Sequence, residues 1–261
     1  TVRRMITVIL NCYKRPEYLK EQVEAIKKQT IKPDNVWLWV NQAVENEALG
    51  MFGGEWGFDR VFRSSVNCKF HGRFAVGLLA QTEYVAFFDD DTIPGNKWFE
   101  NCLNTMETHP GILGGAGVCL LDSKQYMRHL RSGWPTKNKE VEEVDLAGHA
   151  WFLKREDLCH MWAEVPASLE HGEDLQLSYM AQIKNNIKTY CPPHPENDKD
   201  LWSSLKGEEY GCDDKAWSQG KLSSLSEFFI HRTQSMQDGL SRKWEPMALR
   251  NPTVLKNMAK K

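Results

Sequence analysis

Met5-Ile6-Thr7-Val8-Ile9-Leu10 is a near-continuous apolar run, the mark of a strand buried on both faces, as in a parallel sheet. The loop Asn11-Cys12-Tyr13-Lys14-Arg15-Pro16 follows, with Pro16 placed for the first turn of a helix. Leu19, Val23 and Ile26 then recur at helical spacing over residues 17–29. After the turn Pro33-Asp34-Asn35, Val36-Trp37-Leu38-Trp39-Val40 reads as a second strand. Strand, helix, strand in that order predicts a right-handed βαβ unit. Residues 41–60, rich in Gly and acidic side chains, read as a loop with at most a short helix. A third strand is predicted from Arg60 to Ser65, a helix over 72–81, and a fourth strand at Tyr84-Val85-Ala86-Phe87-Phe88. That strand ends abruptly in Asp89-Asp90-Asp91.

The pattern then predicts a helix from Pro94 to Thr108, a Gly-rich strand from Gly111 to Leu121 and a polar loop over 122–140. A strand region from Val144 to Leu153 follows, then a helix from Arg155 to Trp162. Gly172-Glu173-Asp174 opens a further helix running to Lys184. Over 192–221 the hydrophobic period disappears among Pro, Gly, Asp and Trp, so this stretch reads as a long loop, of the kind that is either functional or disordered. No repeat or linker interrupts the chain. Residues 1–261 are therefore expected to form a single α/β domain, with 1–110 as its first half, ending past the acids, and 111–261 as its second.

Composition narrows the function. Lys and Arg total 33 against 35 Asp and Glu, a net charge of −2, which argues against nucleic-acid binding over a broad basic surface. The basic end, Arg242 to Lys261, reads as a solvated helix or as a peripheral contact with an anionic membrane surface. No apolar run reaches the roughly 18 residues of a membrane span, and no signal peptide is visible, although a leader ahead of Thr1 would escape notice. Seven Cys without framework spacing fit reduced thiols in a cytoplasmic compartment. Cys191-Pro-Pro-His194 and Cys212 lack a second ligand pair, which disfavours zinc. Trp134, Trp202, Trp217 and Trp244 fall in polar stretches, where an indole either stacks on a sugar or packs in a core or loop.

The chemistry concentrates at Phe87-Phe88-Asp89-Asp90-Asp91-Thr92. Unpaired carboxylates at the tip of a buried strand cost several kcal/mol per ion, so a compensating cation is expected. Ligands of open α/β sheets bind beyond the carboxyl ends of the strands, and oxygen donors suit Mg²⁺ or Mn²⁺. Asp89 and Asp91 alternate, so they share a side of an extended chain. The bland alternative is a surface acid cluster capping the next helix through Asp91 or Thr92.

Asp89-x-Asp91 after a hydrophobic strand resembles the DxD motif of GT-A glycosyltransferases. Residues 6–29, with Asn11-Cys12-Tyr13-Lys14-Arg15-Pro16-Glu17-Tyr18-Leu19 and Gln29-Thr30, resemble the opening of family-2-like members, and the triple Asp followed by Thr is also similar to the exostosin-like group. The cast is similar to small glycosyltransferases of large algal viruses. The resemblance spans roughly residues 5–185 and implies a Rossmann-like mixed sheet flanked by helices, a nucleotide-sugar donor, a glycan acceptor and Mn²⁺ or Mg²⁺. It implies that Asp91 and Asp89 serve the metal, that Asp89 and Asp90 border the nucleotide, and that Cys12, Tyr13 and Arg15 lie beside the base. Asn41 stands where the family often has an Asp that reads uracil, so UDP, GDP and dTDP all stay open, with a UDP-hexose or UDP-xylose favoured. Asn67, Lys69 and Arg73 correspond to the segment that reaches the diphosphate; the guanidinium fork of Arg73 suits phosphate, or pairs with the acids instead.

His171-Gly172-Glu173-Asp174 resembles the ED motif of inverting members, which implies Asp174 as the base and Glu173 as an acceptor or sugar binder. The same acids would also suit an ordinary helix N-terminus. Asp145-Leu146-Ala147-Gly148-His149-Ala150-Trp151-Phe152 would line the sugars, with Gly148 allowing close approach and Trp151 stacking, or would be a plain core strand. His231 and His194 are candidates for a third metal ligand, as late His residues serve in some GT-A enzymes, and Arg232 for the pyrophosphate. The loops 122–140 and 192–221 are candidate lids. Competing readings are a retaining exostosin-like transferase, a nucleotidyltransferase, disfavoured because the first loop lacks Gly, and a Trp-rich carbohydrate-binding module, which leaves the acids unexplained.

Overall fold

The computed structural model describes residues 5–42, 56–121, 123–126, 129–211 and 222–259, with side chains of the last stretch from 227. The predicted loop from 43 to 55, Trp217 and Cys212 lie outside them. The apolar run forms β1 (Ile6–Cys12), and its first five residues are all but sealed from solvent. It pairs in parallel with β2 (Asn35–Val40) on one side and β4 (Tyr84–Phe88) on the other. β3 (Arg60–Arg63) continues in parallel beside β2. The crossovers are α1 (Leu19–Lys28), entered through a 3-10 turn at Pro16–Tyr18, and α2 (Gly72–Gly77).

Period-two alternation sends the strand residues to opposite faces. Val8, Leu10, Ala86 and Phe88 meet α1 and α3 (Trp98–Thr108) through Val23, Ile26, Trp98 and Phe99. Ile9, Val85 and Phe87 meet Phe74 of α2, Leu158 and Met161 of the 3-10 segment Arg155–Trp162, and Leu177 of α4 (Glu173–Asn185). Covering both faces explains why these strands read as unbroken apolar runs.

Past α3 the chain forms β5 (Ile112–Leu120), β6 (His129–Gly133), β7 (Glu142–Val144), β8 (Leu146–Lys154) and β9 (Thr189–Cys191). One nine-stranded sheet of order β3-β2-β1-β4-β8-β5-β9-β7, with β6 added on β5, runs through both halves. β8 is antiparallel to both β4 and β5, and the register sets Phe88 opposite Ala150. The mixed sheet flanked by helices that the resemblance implies is the one observed. α5 (Gly207–Tyr210), α6 (Leu222–Ser241), α7 (Met247–Arg250) and α8 (Pro252–Met258) complete the chain. No helix of the described residues is long and apolar enough to cross a membrane.

Several boundaries differ from the pattern, each for a physical reason. The polar loop 122–140 contains β6, whose His-Leu-Arg-Ser-Gly sequence has no period but pairs with β5. The strand region expected from Val144 to Leu153 is divided between β7 and β8 at Asp145, a buried carboxylate that accepts N–H groups of Leu120 at 2.7 Å and Met247 at 2.6 Å. The helix expected from Pro94 begins at Trp98, and the one over 72–81 closes at Gly77. Arg155–Trp162 winds as 3-10. The described part of 192–221 is not structureless: a 3-10 turn at Lys199–Leu201 and α5 interrupt it. Trp202 and Trp244 are buried packing residues.

Candidate active site

A cavity of about 480 Å³ opens beyond the carboxyl ends of β1, β2 and β4, where open α/β sheets place ligands. Tyr13, Lys14 and Arg15 from the loop after β1 border it, with Asn41, Asn67 and Lys69 beside them. Asn41 is nearly sealed and spends its amide on the neighbouring loop. Its Nδ2 donates to Asn67 Oδ1 at 2.9 Å and to the Lys69 carbonyl at 3.2 Å, while its Oδ1 accepts the Cys68 N–H at 2.8 Å. Asn67 in turn donates to the Tyr13 hydroxyl at 2.9 Å. Asn41 thus holds up the loop rather than presenting a free amide to a base. Lys69 pairs with Glu170 at 2.8 Å. Cys12 corrects the expectation for the first loop: it belongs to the core cluster with Leu10 and Val40, does not line the cavity, and burial pushes its thiol up to about 12.

The three acids of the turn after β4 have different partners. Asp89 pairs with Arg73. Asp90 receives Arg15 at 2.9 Å, and burial, reinforced by Asp91, lifts its carboxyl to about 6. Asp91 lies 3.6 Å from Arg15, and burial raises it also, against the pull of His149. Gln22, fully buried on α1, fixes the turn by donating to the carbonyls of Asp89 at 2.7 Å and Thr92 at 2.8 Å. A polar residue on the apolar stripe of α1 was the signal for it.

Asp89, Asp91 and His149 each offer one ligand atom, and those atoms lie within 4.8 Å of one another. His149 is the fourth residue of β8, just ahead of the residues that pair with β4, with φ of 68°, a left-handed conformation costly for a non-glycine residue. Its buried Nδ1 has no hydrogen-bond partner among the described residues. Two carboxylates and an imidazole whose Nδ1 is orphaned suit a divalent cation. His231 is corrected here. It lies on α6, meets Ser168 Oγ at 3.0 Å through Nδ1 and does not line the cavity. His194 is fully buried and serves the loop around Ser203.

Across the cavity, Gly172 takes φ of 92° to start α4, and Glu173 and Asp174 face inward. Asp174 accepts Arg232 Nη2 at 2.8 Å on Oδ2 and the Leu175 N–H at 2.7 Å on Oδ1. Arg232 is 4% exposed, with its guanidinium over the Tyr126 ring at 4.3 Å. Glu173 lies 3.6 Å from Arg73 Nη2, so Arg73 connects Asp89 to Glu173. Burial, then the neighbouring Asp174, holds the Glu173 carboxyl above the ordinary carboxylate range. Arg73 therefore pairs with the acids, the alternative left open for it, and rests 4.7 Å over Trp151, which is buried beneath it rather than open for stacking on a sugar. Gly148 does line the cavity. Tyr126, Arg131 and Phe228 line it too; no period or motif marked them, because strand pairing and the packing of α6 bring them there.

The candidate lids are partly anchored. Asn138 bridges to His194, and its Nδ2 donates to the Pro192 carbonyl at 2.9 Å. α5 is held by the stack of Tyr18 on Tyr210 at 3.9 Å and by Lys206 on Glu21 at 2.8 Å. This brings Gly211 so close to Asp91 that a Cβ there would lie 2.9 Å from Oδ2.

The sequence profile of glycosyl transferase family 2 matches residues 7–158. No curated protein matches the chain significantly. The solved structure of S. aureus TarS 1-349 is similar in fold, with a TM-score of 0.50 at 18% identity, over 74% of this chain and 61% of that one.

Proposed function

Because the chain belongs to glycosyl transferase family 2 and has the GT-A fold, we propose that it moves a sugar from a UDP-sugar, a hexose or a pentose such as xylose, onto a glycan acceptor, with inversion. The observation that carries this reading is the convergence of Asp89, Asp91 and His149 in a cavity whose opposite wall carries Glu173 and Asp174. Asp89, Asp91 and His149 would hold Mn²⁺ or Mg²⁺, which would supply Lewis-acid stabilisation of the leaving diphosphate's charge. Tyr13 and Arg15 flank the nucleotide, with Asn41 steadying Asn67 and Lys69 near it. The Glu173–Asp174 pair supplies the carboxylate that takes the acceptor proton; the family resemblance gives that task to Asp174.

Thermal unfolding with UDP, with and without Mn²⁺, tests the reading. Ligand at a hundredfold excess over its dissociation constant stabilises the chain by about 2.7 kcal/mol, and Asp91→Ala should abolish the metal-dependent part. A stabilisation by UDP that Mn²⁺ does not enhance, or that survives Asp91→Ala, would remove the metal from the reading. NMR of the product's anomeric centre distinguishes inversion from the exostosin-like retaining course.

A further inference from the structure

We infer that the acceptor carries an anionic group, a carboxylate or a phosphate, and that Arg131 on β6 binds it. This deepens the transferase reading and rests on it, since it names the class of acceptor for the same cavity.

Most cations of the cavity wall are already committed. Arg15 pairs with Asp90, Arg73 with Asp89, Lys69 with Glu170 and Arg232 with Asp174. Arg131 lines the same cavity and is exposed, yet it makes no hydrogen bond or ion pair among the described residues. The acids of the wall therefore do not need its charge. A guanidinium left over at such a place suits a carboxylate or a phosphate, which it grips with two parallel N–H bonds. Lys14 also lacks a carboxylate partner among the described residues, its ammonium lying 5.2 Å over the Tyr13 ring. It stands in the loop after β1, however, on the side proposed for the nucleotide.

The sheet puts Arg131 on the other side. From β4 the order runs through β8 and β5 to β6, three strand spacings, or roughly 14 Å. The candidate metal ligands stand at the first of these steps, between β4 and β8. Leu146, Val118 and Arg131 are direct cross-strand partners in one row, and Gly148 pairs with Ala116 two residues along. Directly opposed residues share a face of the sheet, and all five line the cavity. A Cβ at Gly148 would meet only the Ala116 carbonyl, at 4.0 Å, so a sugar ring has room to lie against the backbone there. A donor sugar reaching out from the metal thus lies over Gly148, and Arg131 lies beyond it. Burial keeps His129, at the start of β6, neutral, and Arg131 and Arg232 both act on it in the same direction. Both guanidiniums therefore stand at this end of the cavity, and with Arg232 held by Asp174 at 2.8 Å, Arg131 is the one available to a ligand.

The test uses the full chain with Mg²⁺ and saturating UDP, and reads acceptor-site binding by NMR titration. The probes are methyl β-D-glucoside, the corresponding glucuronide, and the glucoside phosphorylated at its primary hydroxyl. The parent should bind at least one anionic probe about tenfold more tightly than the neutral one; the preferred probe tells carboxylate from phosphate. Arg131→Gln should erase that preference and leave UDP binding within about twofold, while Arg131→Lys keeps part of it. If neither anion outbinds the neutral glycoside in a chain that binds UDP, or if the preference survives Arg131→Gln, the assignment falls alone. It falls also if the parent prefers UDP-glucuronate to UDP-glucose by a margin that Arg131→Gln abolishes, because the anion then belongs to the donor. A parent chain that does not bind UDP overturns the transferase reading with it.

Discussion

Arg73 ties the two acidic motifs together, and its neighbours show what reading residues one at a time reveals. Its guanidinium pairs with Asp89 and reaches Glu173 while lying over Trp151. Removing it strands two acids in a poorly solvated wall. Arg73→Ala should therefore destabilise the fold by about 3 kcal/mol or more, and Arg73→Lys by less, since it keeps the positive charge even though a point charge cannot span both partners; thermal melts of the two variants check the order. The acids themselves were legible because three carboxylates after an apolar strand admit few explanations. Cys12 was misread for want of one step: alternation from Leu10 turns its thiol to the core side. His149 was not legible as a ligand. Its place depends on β8 running antiparallel beside β4, a pairing that spans far more chain than any local motif.

At the scale of elements, periodic segments were read well and polar-anchored ones were not. β1, α1, β2 and β4 carry their period in apolar side chains, so pattern and structure agree within a residue or two. The stretch after Cys191 has no period because polar bonds anchor it. The Nδ1–H of His194 donates to the Pro192 carbonyl at 2.8 Å, and its Nε2 accepts the Ser203 hydroxyl at 2.9 Å and the Ser203 N–H at 3.2 Å. That arrangement requires a neutral ring, and burial lowers its pKa from 6.5 to about 4. The sign follows: the unfolded chain binds the proton first, so the contribution of His194 is complete above 6.5 and is lost as pH falls towards 4. His194→Gln should be less stable than the parent at neutral pH, with the gap narrowing by about 3 kcal/mol over that window. Urea titrations of both proteins at a series of pH values measure it. A gap independent of pH would mean that the imidazole is not held neutral.

For the whole molecule, the parallel half was readable because α1 joins β1 to β2 and α2 joins β3 to β4 in short βα steps. The order β3-β2-β1-β4, which returns β4 to the far side of β1, is seen only in the structure. The insertion of β8 between β4 and β5 was not readable, since no local signal says which edge a returning strand will choose. That insertion bears on durability as well as chemistry. Asp89 and Asp91 stand at the tip of a strand running one way, and His149 lies beside that tip on its neighbour running the other. A divalent ion shared by them would clasp a long closed loop of chain, holding β5, β6 and β7 as a reversible cross-link would and thinning the unfolded ensemble as a disulfide does. Stripping the ion with a chelator should then quicken amide hydrogen exchange first in β5 and β8, while β1 and β2 keep their protection; uniform loosening of every strand would show that the clasp does not divide the sheet.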